Sequence, residues 1–175
     1  RLDRIGALVE GMARFVNQER LTTMDTLVDS CGSFIDELSK KYEKPIALKL
    51  QRSEAYVEDS LLSSFETALY SILDSTFEFG IEQQNERLAR QKSEKCRSIL
   101  DLKSVEEGYK LTFYYEGNGV QPPLKQGVDM ALAKAGVRYA FEGKPGHYSA
   151  WIFYLPSNFG AYRCVRVSFG DQKVY

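Results

Sequence analysis

The sequence predicts a mixed α/β domain, and two features of its patterning carry that expectation. Apolar residues recur at helical spacing in two long stretches, 24–42 and 58–82, and proline interrupts neither. Short strand-like runs lie between and after them, at 46–50, 97–102, 110–115, 137–141 and 150–156. Turn signals separate these runs, such as Glu43-Lys44-Pro45, Glu106-Glu107-Gly108 and Gly143-Lys144-Pro145-Gly146. With 175 residues, 43% of them apolar and 13% aromatic, the chain has material for one compact core and is not a disordered segment.

The central element is 58–82. Leu61, Leu62, Phe65, Ala68, Leu69, Ile72, Leu73 and Phe77 line one side of it, and Gly80 stands where a helix would end in a left-handed conformation. Residues 1–20 carry Leu2, Ile5, Leu8, Val9, Met12, Phe15 and Val16 on one stripe, which needs the body of the domain or a second copy as its partner. The second helix, 24–42, repeats Met24, Leu27, Val28, Cys31, Phe34, Ile35 and Leu38, and Ile46–Leu50 follows as a short strand. The polar run after Glu82 reads as a solvated helix or loop. A hairpin is expected from Arg97–Leu102 and Lys110–Tyr115, then a short helix over 127–135 closed by Gly136. Trp151 falls on a buried strand, and Tyr162–Phe169 alternates as an edge strand or a pairing strand.

Composition excludes several functions. A net charge of −1 gives no global attraction to nucleic acid or an anionic membrane. No apolar run approaches the ~20 residues that span a bilayer. Cys31, Cys96 and Cys164 are odd in number and widely spaced, so they read as free thiols of a reducing, cytoplasmic compartment. His147 is the one histidine, which leaves no multi-histidine metal site and no residue beside it to orient it as a base.

Five segments, at 77–82, 86–92, 115–120, 127–130 and 145–156, resemble in order the ATP-binding region of CheA-like histidine kinases, within the GHKL ATPase superfamily. The helix ending Phe-Glu-Phe-Gly-Ile-Glu at 77–82 is similar to the first box, usually Asn-Ala-x-Asp-His-Gly-Ile-Glu. There the family's Mg²⁺-binding Asn falls on Ser75, its Asp on Glu78, and its two His positions on Ser71 and Phe79. Glu86-Arg87-Leu88-Ala89…Lys92 resembles a segment whose basic residues, here Arg87 and Lys92, approach the ATP phosphates; the family's Gly is Gln91. Tyr115-Glu116-Gly117-Asn118-Gly119-Val120 has the frame of Asp-x-Gly-x-Gly-Ile, with Tyr115 in place of the Asp that contacts adenine, and Gly117 and Gly119 in place. Gly127-Val128-Asp129-Met130 resembles the Gly-Met-Asp-Val that opens the next helix. The last box is met by Pro145–Pro156, with Ser149 for its Thr and Tyr148 for its second Gly.

The resemblance implies a two-layer α+β sandwich of the Bergerat type, a mixed sheet of about five strands with helices on one face. It divides the chain into a helical lead-in at 1–20, like the end of a dimerisation helix, and an ATPase-like domain at 21–175. It also implies a place in chemotaxis-type two-component signalling. The substitutions argue against kinase activity. Ser75 lacks the amide oxygen that would hold Mg²⁺, and Tyr115 is too bulky for the adenine contact. The Gly-rich lid between the boxes shrinks to six residues, Gln121–Gln126, at most ~3.6 Å each. Phosphoryl transfer depends on positioning and metal-stabilised charge, so these losses predict a pseudokinase with no catalytic residue, no metal and no nucleotide cofactor, serving as a scaffold for other signalling proteins. Homodimerisation through 1–20 is possible on this reading, and nucleic acid and membrane insertion are not expected. Two alternatives stay open: an ATP/ADP or anion site rebuilt from Glu78, Glu116, Arg87 and Lys92, with Mg²⁺, and an active kinase that needs partner domains.

Overall fold

The computed structural model describes residues 21–156. The lead-in at 1–20 and the strand expected at 162–169 lie outside the described residues.

The elements are β1 (Leu21–Thr23), α1 (Met24–Lys41), β2 (Ile46–Gln51), β3 (Tyr56–Glu58), α2 (Asp59–Ser75), α3 (Gln84–Ala89), β4 (Cys96–Val105), β5 (Gly108–Tyr115), α4 (Val128–Lys134), β6 (Arg138–Lys144) and β7 (Tyr148–Pro156). Five strands form one sheet in the order β2-β4-β5-β7-β6, with β2 parallel to β4 and the remaining pairs antiparallel. The expected five-stranded mixed sheet is therefore present. β1 and β3 pair as a separate antiparallel ribbon that the sequence reading did not anticipate. Strands of three residues are too short to show periodicity.

Register decides which face meets the helices. Leu100, Phe113 and Trp151 stand opposite one another across β4, β5 and β7, as do Leu102, Leu111 and Phe153. These residues are buried, in one cluster with Leu27, Cys31 and Ile35 of α1, Phe65, Leu69 and Ile72 of α2, and Leu132 of α4. Phe65 meets Phe153 edge to face, with centroids 5.4 Å apart. Burial raises the thiol of Cys31 to about 12 and that of Cys96 to about 11, so both free cysteines are inert core residues.

The end of α2 departs from expectation. The helix continues past Ser75 as one π-helical turn, Thr76–Gly80, closed by the Ile81 N–H donating to the Thr76 carbonyl at 3.1 Å. Gly80 is not left-handed, because the π turn spends the extra residue that a left-handed cap would have supplied. It must be glycine for another reason: a Cβ there would lie 2.8 Å from the Tyr115 hydroxyl and 3.1 Å from Pro122.

Lys44 anchors this turn. Although only 5% exposed, it donates from Nζ to the carbonyls of Phe77 (2.5 Å) and Glu78 (3.0 Å), placing a cation at the negative end of the helix. Burial lowers its pKa. Lys44→Met would leave both carbonyls without this donor and should cost about 2–3 kcal/mol, read from the urea midpoint.

Candidate functional site

The residues singled out in the sequence converge where the end of α2, the α3 loop, the β5–α4 loop and the β6–β7 hairpin meet. The Asn118 N–H donates to the Gly80 carbonyl (3.0 Å), and its amide Nδ2 donates to the Phe79 carbonyl (2.8 Å). The Gly119 N–H donates to Ser149 Oγ (3.1 Å), and the Gly146 N–H donates to the Asn118 carbonyl (2.9 Å). The Gly-Asn-Gly loop is thus tied to the helix end on one side and to the last hairpin on the other. Gly127, at φ +86°, caps α4 in an open position.

Tyr115 fills the centre. It has no exposed surface, stacks on Phe113 with centroids 5.3 Å apart, and projects its hydroxyl toward Gly80 with the hydroxyls of Ser149 and Thr76 beside it. That hydroxyl has no partner within hydrogen-bonding geometry among the described residues. Burial raises its pKa first, outweighing the two neighbouring hydroxyls, so it stays protonated. A Cβ at Gly117 would stand 2.4 Å from the tyrosine ring, so Gly117 and Gly80 together make room for it. Ser75 is buried, Ser71 is half-buried, and Thr76 accepts from Trp151 Nε1 at 3.0 Å.

Arg87 and Lys92 are neither solvated nor free. Arg87 is 1% exposed, whereas its neighbour Leu88 is 55% exposed, the reverse of what polarity alone would place inside. Its Nε donates to the Ser93 carbonyl (3.0 Å), Nη1 to Glu82 Oε2 (3.1 Å) and the Glu116 carbonyl (2.6 Å), and Nη2 lies 3.4 Å from Glu116 Oε2. Lys92 pairs with Glu82 and donates to the Gly117 carbonyl at 2.9 Å. Arg90 and Arg97, both exposed, reach the same two carboxylates from outside, so Arg87 and Lys92 are ion-paired in a cluster of four cations and two carboxylates. Glu78, grouped with these residues in the sequence reading, is exposed on the π turn, and its carbonyl belongs to the Lys44 cap. The run after Glu82 is therefore a largely exposed helix and loop, as expected, that turns Arg87 inward as a clamp, with a capping box between Gln83 and Glu86. Glu82, its hub, was missed. Its partners Arg87, Arg90 and Lys92 lie five, eight and ten residues on, and only the fold brings Glu116 to the shared Arg87.

Asp74, one residue before Ser75, holds the connector. It accepts from Lys41 (2.8 Å) and Tyr42 (3.0 Å), and it pairs with Lys125. Burial alone would raise its pKa, but the bonds from Lys125, Lys41 and Tyr42 overcome this and hold it down at about 2. Its folded value lies below the unfolded one, so its contribution is complete above pH ~4 and is lost as pH falls toward about 2. Both lysines are about half exposed, at 59% and 47%, and screening leaves this contribution at about 1 kcal/mol. Asp74→Asn should flatten the stability profile by that amount between pH ~4 and ~2, measured by urea unfolding across the range.

No helix among the described residues is long and apolar enough to cross a membrane. His147 is exposed on the β6–β7 turn.

No family model and no curated protein matches the sequence. Solved structures do resemble the fold. The histidine kinase domain of the Erythrobacter litoralis EL346 blue-light activated histidine kinase superposes with a TM-score of 0.56 at 11% identity, over 76% of this chain and 62% of that one. The Acinetobacter baumannii histidine kinase AdeS gives 0.54 at 12% identity, over 90% and 80%. The mycobacterial sensor histidine kinase MprB gives 0.50 at 13%, over 78% and 95%. The chain spans under two thirds of the first of these, and at such identities the likeness is one of fold. The five-strand order, the helical layer and these superpositions agree: the chain has the fold of histidine kinase catalytic domains, the GHKL ATPase fold.

Proposed function

We propose that this domain is a pseudokinase: a histidine-kinase-like ATPase fold that no longer binds Mg-ATP and serves two-component signalling, of the chemotaxis type, as an interaction module. The observation that carries the reading is Tyr115. Its ring is fully buried between Gly80 and Gly117, at the position where the resembling family places its adenine contact. The donors do not fit the cofactor either. Ser75 is buried without an amide oxygen to offer a metal, and Arg87 and Lys92 are already ion-paired with Glu82 and Glu116. Without a place for the nucleotide or for its charge, there is no phosphoryl transfer to derive.

The interaction role is supported by what stands at the rim. Phe79 is 50% exposed and Val120 60% exposed, and both flank Asn118, which bonds the Phe79 carbonyl and caps the Val120 N–H. Apolar side chains held open on a rigid loop suit a protein partner better than a phosphate.

Calorimetry of the purified chain with Mg-ATP and with ADP tests the reading. The expected result is no heat and an unmoved thermal midpoint at millimolar nucleotide. A dissociation constant in the tens of micromolar would overturn it, and the midpoint would then rise with ligand by mass action.

A further inference from the structure

The sheet has a second face that no described helix covers, and its register can be read row by row. Ile99, Tyr114 and Ala150 stand in one row, Thr112, Ile152 and Ala140 in the next, and Lys103, Lys110, Tyr154 and Arg138 in the third. None of these apolar residues belongs to the core cluster or packs against it. Ala150 and Ile152 are buried at 5% and 6%, Ile99 and Tyr114 are half-buried and Tyr154 is exposed, so the large side chains of this separate apolar patch that stay accessible are Ile99, Tyr114 and Tyr154. LTFYY at 111–115 lacks a polar–apolar alternation for this reason: Leu111, Phe113 and Tyr115 face the core, while Thr112 and Tyr114 face outward.

The patch is framed by positive charge. Arg97 pairs with Glu116 and Lys103 with Asp101. Lys49, Lys110, Arg138 and Lys144 have no ion pair among the described residues, and the rows of this face hold two carboxylates, Asp101, already paired with Lys103, and Glu142. A face this basic on a chain of net charge −1 is a local feature, and charge of one sign at an interface selects its complement.

Three occupants are disfavoured. A second copy meeting this face symmetrically would oppose like charges. The chain's own ends are also basic: residues 1–20 carry four arginines against three carboxylates, and residues 157–175 three cations against one. Single-stranded nucleic acid needs open ring faces on which to stack bases. Here Tyr114 stacks on Tyr148 at 5.6 Å, and both Lys110 and Arg138 lie over the Tyr154 ring, at 5.9 and 5.8 Å.

We propose that the helix-free face of the sheet is a docking surface for an acidic segment of a partner protein, its apolar side chains against Ile99, Tyr114 and Tyr154 and its carboxylates on Lys110, Arg138, Lys49 and Lys144. This surface is on the opposite side of the sheet from Tyr115, so the inference stands apart from the state of the nucleotide pocket.

The test uses a fluorescent peptide alternating Glu with Phe and Leu, the same peptide with Lys for Glu, and single-stranded oligothymidine, each titrated by anisotropy into the whole chain. The acidic peptide should bind and the basic one should not. The Lys110→Glu/Arg138→Glu variant should weaken binding about tenfold or more at low salt, with an unchanged thermal midpoint. The neutral pair Lys110→Gln/Arg138→Gln should weaken it by less and serves if the reversed variant misfolds. Equal binding by wild type and the folded variants would overturn the proposal. So would preference for oligothymidine, or self-association in sedimentation that these variants abolish. Calorimetry with Mg-ATP bears on none of these outcomes.

Discussion

Arg87→Met should destabilise the domain by about 3–5 kcal/mol. The guanidinium is 1% exposed and Glu82 is 4% exposed, so removing the cation takes from Glu82 its most buried partner, leaving it Lys92 and Arg90, and leaves the Glu116 and Ser93 carbonyls short of a donor. Burying the pair is costly in itself, which is why the sign of the effect depends on what is removed. Arg87→Met combined with Glu82→Gln should recover part of the loss, because the buried carboxylate that lost its partner is gone. The cycle is measured by urea unfolding, and the single variant should lower the thermal midpoint by roughly 10 °C. A loss below about 1 kcal/mol would mean that Arg87 is a solvated cation, available to an anion as the sequence pattern had suggested.

Gly119→Ala should cost about 3 kcal/mol, through two mechanisms that a control separates. The residue sits at φ +79°, which an L side chain adopts at a cost of about 1–2 kcal/mol. A Cβ there would also meet the Lys144 carbonyl at 2.3 Å and the Pro145 nitrogen at 2.5 Å, both backbone atoms that no rotamer change can clear. Gly127 has nearly the same backbone, φ +86°, with nothing within 4 Å of a Cβ. Gly127→Ala should therefore show the conformational cost alone, about 1–2 kcal/mol. The difference between the two measures how tightly the β5–α4 loop is pressed on the last hairpin. Equal losses would show that the loop gives way, and the tie from Gly119 to Ser149 would then hold little.

How far the sequence could be read depended on how local each signal was. The periodic stripes placed α1 and α2 and the residues they bury, since helical amphipathicity needs no partner to be seen. Turn residues at 106–108 and 143–146 bounded the strands of the sheet. The box-like motifs located the loops that meet around Asn118, because glycine is required wherever two backbones approach. The fate of the charged residues could not be read the same way. Arg87 beside Leu88 looks like the outward residue of its pair, and polarity gives the wrong side.

What the sequence by itself determined, then, is the order of elements, their core-facing stripes and the positions of the close-packed glycines, all properties that repeat over a few neighbouring residues. The tertiary structure alone decided that Arg87 and Lys92 are ion-paired with Glu82 and Glu116, that Gly80 makes way for Tyr115 and does not cap a helix, and that Tyr114 and Ile152 share the helix-free face. Each of these rests on groups brought together across the chain, where burial raises the cost of an unpaired charge and a few tenths of an ångström decide what fits.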